Sequence, residues 1–329
     1  MTRSPPQPLY AAGITASPDD YANNRFAGGA RLWMRFDRFG QSELVDWDEN
    51  TIVRHVSIPA RDMRIFDSGL SHSSNIFARR KAMVVKLAFI KAVVTAEEVL
   101  VFDPLRQEVL PFVEKLMQQL PGKSQQNPLG ASELPFEFQV LGIVLETVCT
   151  YLDSNVADLE RGAYPVLDEL TRSVSIKNLE HVRTLKTNMM LLLTQVEEIR
   201  DGIKHSLSDK EYMTRLYLTR KLLNQQLEEV KLDVTTSDNH SNFSRAIGGL
   251  GSHKSETLVT SHYRNDNDVV DLEMLLDTYF NQLDETRNKL LSVRKHIHGI
   301  EEYVSIRFNK NGEEREIQLT LQFLYSHNK

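Results

Sequence analysis

The sequence predicts an α+β protein: a mixed α/β domain first, long antiparallel helices after it, and a long coiled-coil-like stalk helix last, with no transmembrane helix. Three observations carry this prediction. The β-branched runs Met83–Leu87, Phe89–Val94 and Val99–Asp103 are spaced like a strand meander. Beyond Pro135, apolar residues recur at intervals of three and four over long stretches. Between Tyr279 and Val304 they alternate four and three without a slip.

Residues 1–30 are rich in Pro, Gly, Ala and Asn and read as a flexible N-terminus. Residues 31–132 form the mixed domain, in which Arg106–Leu120 reads as an amphipathic helix stopped by Pro121-Gly122. The stretch PGKSQQNPLGAS closes it as a loop. Residues 133–232 read as a helical hairpin region. Val148, Leu152, Val156, Leu159 and Ala163 give one apolar face, and Pro165 is expected to bend or end that helix near Arg161-Gly162. The stripe resumes through Val182, Leu185, Met189, Leu193, Val196, Ile199 and Ile203, and a third helical stretch covers Tyr212–Leu232.

Residues 233–267 are mainly Ser, Thr, Asn, Gly and His, the composition of a flexible linker. The stalk region is 268–318. Its seam, with Leu283, Leu290, Val293, Ile297 and Ile300 at its centre, belongs to a helix expected to start near Val269 and to run roughly 50 Å. Such a seam packs either on other helices of the same chain or on equivalent helices of an oligomer, and the sequence favours neither. Residues 319–329 are a short apolar tail.

Acidic residues outnumber basic ones, 45 to 39 in 329 residues. That balance gives no support to a nucleic-acid surface, which needs clustered cations. The single cysteine, Cys149, has no partner for an internal disulfide and lies in an apolar helical pattern, as a core residue in a reducing compartment does. The N-terminus lacks the continuous apolar core of a secretory signal. A spanning helix needs roughly 20 mostly apolar residues. Ala82–Val94 is broken by Lys86 and Lys91, and the tail offers only Leu319–Tyr325, so the chain as written is expected to be soluble and intracellular.

No Walker or dinucleotide loop, H-E-x-x-H or nucleophile elbow occurs, which points to a non-enzyme with no catalytic residues and no bound cofactor. GGLGS (248–252) has no strand before it. Asp266, Asp268 and Asp271, followed by Glu273, read as carboxylates capping the start of the last helix, or as ligands for a hard cation. Asp277 and Asp284 are seven apart and share one side of the helix with Asp271 close to that line; such a stripe is either a solvated face or a cation-binding edge. His296 and His298 point about 200° apart around a helix and cannot share a metal. His240, His253 and His262 fall in the linker.

Six stretches together resemble the eukaryotic, plant-like branch of the CorA-type magnesium channels: IPARDMRIFD (58–67), KAMVVKLAFIKAVVTAEEVLVFDP (81–104), LPFEFQVLGIVLETVCTYLD (134–153), AYPVLDELT (163–171), LYLTRK (216–221) and DLEMLLDTYFNQLDETRNKL (271–290). The resemblance covers about Arg31–Val304. It implies a soluble α/β domain leading into a stalk, pentameric assembly, and a pore helix ending in a Gly-Met-Asn filter. It also implies Mg²⁺ as a regulatory ligand; the stripe of Asp271, Asp277 and Asp284, where it is not a solvated face, is the edge that would hold hydrated Mg²⁺ between neighbouring subunits.

Two departures stand out. YVSIRF is followed by Asn309 and Lys310 where the family tends to place an acidic residue, and SLSDKEYM (206–213) replaces a dense acidic run. EIQLTL sits where the pore helix begins, QFLYSHNK follows it, and no Gly-Met-Asn occurs. The expectation is a chain truncated before the pore helix and inactive in transport, since a hard divalent ion needs a polar path through lipid. Two alternatives remain: a regulatory or assembly subunit joining itself or full-length magnesium channel relatives, with a peripheral place at their membrane, and a coiled-coil scaffold unrelated to magnesium.

Overall fold

Strand residues that are apolar at nearly every position, rather than at every second one, belong to a sheet covered on both faces. The computed structural model shows such a sheet. It describes residues 31–66, 74–123, 134–236 and 253–311, with side chains described except at 121–123, 230–236, 253–269 and 308–311. The N-terminal 1–30, GGLGS and the 319–329 tail lie outside the described residues.

Six strands, β1 (Arg31–Asp37), β2 (Ser42–Trp47), β3 (Asn75–Ala78), β4 (Met83–Leu87), β5 (Ile90–Val94) and β6 (Glu98–Phe102), lie in the order β2-β1-β6-β5-β4-β3, and every neighbouring pair is antiparallel. The expected meander is β4–β6. Its turns are tighter than the apolar runs suggest, because Ala88 and Asp103 take positive φ (49° and 50°) and end their strands there.

Side chains alternate between two cores. Trp33, Val84, Val93 and Leu100 point to one, which is completed by α1 (Glu49–Val56) and a 3₁₀ turn at Ala60–Ile65. There Trp33 meets Phe66 and Phe102 edge-on at 5.0 and 5.1 Å. Asp48 starts α1 by accepting from the Thr51 N–H at 3.0 Å. The 3₁₀ turn is held by Asp62, buried and paired with the Arg79 guanidinium through two of its nitrogens. The other face carries Met34, Met83, Val85, Ala92 and Val101 against α2 (Leu110–Lys123) and α3 (Phe136–Arg172).

Beyond the sheet lie α3, α4 (Ile176–Ser208), α5 (Lys210–Leu216), α6 (Leu218–Thr236) and α7 (His253–Asn311), with α3, α4 and α7 packed on one another. Ser175 caps α4 and Asp209 caps α5 through backbone N–H groups three residues on. The third helical stretch is therefore two helices, broken at Tyr217, whose ψ of 87° is not helical.

Pro165 neither ends α3 nor separates two helices: the helix continues seven residues past it to Arg172. Proline removes one backbone bond and costs about 3 kcal/mol in a helix interior. The turns beyond it bury Leu167 and Leu170, which offsets that cost. α3 is also the one described helix long and apolar enough to cross a membrane, a run the hydropathy reading above passed over. Phe138, Leu141, Val144, Leu145, Val148 and Leu152 are fully buried between the sheet and the neighbouring helices, so its apolarity serves the core.

β3 is an edge strand, and its outer side is occupied. The Ala78 N–H donates to the Tyr212 hydroxyl at 3.1 Å, and that hydroxyl donates to the Ile76 carbonyl. Beside it, a Cβ on Gly202 would stand 3.1 Å from the Ser74 carbonyl oxygen, a tight contact, so glycine lets α4 lie close to the start of the strand.

Candidate functional site: the long helix and its braces

α7 starts at His253, well before the expected Val269, so 253–267 are helix rather than linker. Extending an existing helix costs far less than nucleating one, and no proline interrupts Ser255–Asn267. At 1.5 Å per residue its 59 residues span about 88 Å. Asp266, Asp268 and Asp271 consequently lie well inside the helix and do not cap its start.

The heptad seam is spent inside the chain. Leu283 and Leu290 are fully buried, Val293, Ile297 and Val304 nearly so, and Ile300 half-buried, all in the core shared with α3 and α4. Within one chain these residues therefore face α3 and α4, with Ile300 the most accessible of them.

Polar braces flank the seam on both sides. Toward α3, Asp153 accepts from the Gln282 amide at 2.9 Å and from the buried Thr286 hydroxyl at 2.5 Å. Toward α4, three ion pairs rise along the helix: Arg200–Asp284 at 3.0 Å, Glu197–Arg287 at 3.1 Å and Lys186–Glu301 at 3.1 Å. The last is almost fully buried at Glu301, where an unpaired carboxylate would be costly. Arg307 adds a bond to the Thr171 carbonyl at 2.8 Å.

The three candidate carboxylates are not equivalent. Asp284 faces α4 and is engaged by Arg200, which also lies over Phe280. Asp277 is exposed, with only an Asn281 amide at 3.4 Å, and Asp271 is half-exposed. Among the described residues, no three His, Cys, Asp or Glu side chains converge to hold a metal. His296 stands beside Tyr164 while His298 pairs with Glu302, so the two histidines point apart as their spacing requires.

Sequence reading missed Glu137. It sits in the first turn of α3, fully buried, and accepts from the Thr219 N–H at 2.8 Å and the Thr219 hydroxyl at 2.6 Å. A carboxylate from one helix thus caps the start of another, α6. Burial pushes its carboxyl above the ordinary range, and the Thr219 bonds oppose the rise. The only sequence signal is a Glu framed by phenylalanines at a helix start, which reads equally well as a solvated first-turn residue.

The comparisons with known proteins agree on one family. Residues 35–242 match the family model described as magnesium transporter MRS2-like. Magnesium transporter MRS2-4 of Arabidopsis thaliana is 50% identical, over 96% of this chain and 77% of that protein. Putative magnesium transporter MRS2-G of Oryza sativa subsp. indica is 46% identical, over 89% of this chain and 69% of that protein. Magnesium transporter MRS2-7 of Arabidopsis thaliana is 40% identical, over 89% and 77%. The chain belongs to the MRS2-like family of magnesium transporters.

Proposed function

We propose that the described residues form the soluble part of a magnesium transporter, with α7 as its stalk, and that these 329 residues expressed alone do not carry Mg²⁺. The observation that supports the first half is the 50% identity to a magnesium transporter across nearly the whole chain. The second half rests on packing. Mg²⁺ needs a closed polar route through lipid, and the one described helix apolar enough to contribute a wall is built into the core. Of the three candidate carboxylates, Asp271 and Asp277 carry no ion pair among the described residues, whereas Asp284 is held by Arg200.

The test is Mg²⁺ uptake in transport-deficient cells expressing these 329 residues, with a full-length relative at matched protein level as positive control. No uptake is expected. Restored uptake overturns the proposal and requires a membrane path that the packing of α3 does not offer.

A second reading, an assembly subunit for full-length relatives, is favoured by the outer face of α7. Val270, Met274, Tyr303 and Ile306 are exposed, and at 100° per residue they fall within about 60° of one another. Co-purification with a full-length relative, lost in Met274→Glu/Ile306→Glu, supports this reading; retention in that variant removes it.

A further inference from the structure

A second feature lies away from the stalk, where the end of α1, the β3–β4 turn, the β5–β6 turn and the first turns of α6 border an open cavity of about 220 Å³, with Arg80 and Lys81 exposed at it. Three cations line it: Arg80, Lys81 and Lys221. None has a carboxylate within ion-pair distance among the described residues. Lys221 is half-buried, and its ammonium donates to two backbone carbonyls, those of Arg79 (3.3 Å) and Arg215. An ammonium has three donors, so one remains.

Two carboxylates, Glu97 and Glu98, line the same cavity but leave this charge unpaired. Glu98 is already bound on both oxygens, by the Arg35 guanidinium and by His55 at 2.6 Å. Glu97 lies at the exposed rim. Glu137 attracts Lys221 only from beyond ion-pair distance, its own oxygens being taken by Thr219. Burial and the neighbouring Arg215 both hold the Lys221 ammonium below its ordinary range, and Glu137 opposes them. Gln225 from α6 and Thr95 from the strand turn add polar groups, and Val56, Ala96, Leu218 and Leu222 supply apolar wall.

We propose that this cavity binds a phosphate group, held by Arg80, Lys81 and Lys221. Arginine offers a planar fork of donors and lysine a point charge, the pair of chemistries that recognises a tetrahedral oxyanion. The volume accommodates orthophosphate or a small phosphate monoester. The same chemistry would hold a phosphate headgroup presented by a lipid surface.

The experiment is isothermal titration of the 329-residue chain at fixed ionic strength. The probes are inorganic phosphate, glycerol 3-phosphate, and phosphatidylcholine vesicles with and without phosphatidic acid. Arg80→Gln/Lys81→Gln is compared with Arg61→Gln/Arg64→Gln, a pair of exposed arginines outside the cavity with the same change in net charge. Both variants are checked for native circular dichroism.

Saturable binding of either soluble probe, weakened roughly tenfold or more in the cavity variant and unchanged in the control, supports the site and a free phosphate. Binding only to phosphatidic-acid vesicles with the same variant pattern supports the site and assigns a lipid source. Absence of saturable binding for every probe, or equal weakening in both variants, overturns the proposal.

Discussion

Replacing Glu137 tests whether one buried carboxylate joins the start of α3 to the start of α6. Glu137→Ala leaves the Thr219 N–H and hydroxyl without their acceptor and opens space beneath α6. An orphaned buried donor costs about 1–3 kcal/mol, and loss of a helix cap about 1 kcal/mol. Removing a carboxylate that burial disfavours returns part of this, so the expected net loss is about 2–3 kcal/mol.

Glu137→Gln keeps an acceptor for the N–H and the volume, and is expected within about 1 kcal/mol of wild type at pH 7. The pH trend has a definite sign. Burial raises the folded-state value of Glu137 above its unfolded one, so between those values the folded chain binds the extra proton. The penalty for this carboxyl is fully present above the folded value and declines as pH falls toward the unfolded one. Wild type should therefore gain on Glu137→Gln between pH 7 and pH 5. Urea unfolding of the three proteins at both pH values, followed by circular dichroism, measures these differences. An Ala variant as stable as wild type refutes the capping role, while a wild-type-minus-Gln difference that is flat or opposite in sign refutes the net rise that burial gives this carboxyl.

Three further outcomes follow from the packing. Leu290→Asp puts a charge at a fully buried seam position and is expected to cost more than about 4 kcal/mol, so thermal melting should show an unfolded chain rather than a folded one with an altered oligomer mass. Cys149 is buried, with burial pushing its thiol up to about 12; it should resist a thiol reagent at pH 8 and react fully in urea. The Arg200–Asp284 pair is partly solvated on both sides, so a double-mutant cycle with Arg200→Met and Asp284→Asn should give a coupling of about 1 kcal/mol or less that shrinks in 0.5 M salt.

What the sequence revealed and what it hid divide along a physical line. Periodicity says which face of an element is apolar, and the face of α4 and the seam of α7 were legible for that reason, while β4–β6 showed as short β-branched runs buried on both faces. It does not say what covers that face. The seam from Leu283 to Val304 reads equally as a subunit contact and as an internal one, and only the placement of α3 and α4 decides that it is internal. Local breakers mislead for a related reason. Pro165 carries a local cost that long-range burial of Leu167 and Leu170 overrides, and the polar run before Asn267 is helical although its composition reads as loop. Asp153 and Glu137 were invisible because their partners stand far along the chain, at 282, 286 and 219. A stripe at 271, 277 and 284 looked uniform in sequence, yet Arg200, contributed by another helix, sets Asp284 apart.

The Tyr212 hydroxyl on β3 has a bearing on self-association. An outermost strand ordinarily offers a row of amide donors and acceptors to any passing extended chain, the starting point for edge-to-edge aggregation. Here one phenol accepts from Ala78 and donates to Ile76, standing in for the next strand, while the close approach of α4 at Gly202 blocks the space beside it. Asn75 accepts from the Ile76 N–H and Arg79 donates to the Ala78 carbonyl, so the edge groups of β3 that would template another strand are already engaged, Tyr212 taking two of them.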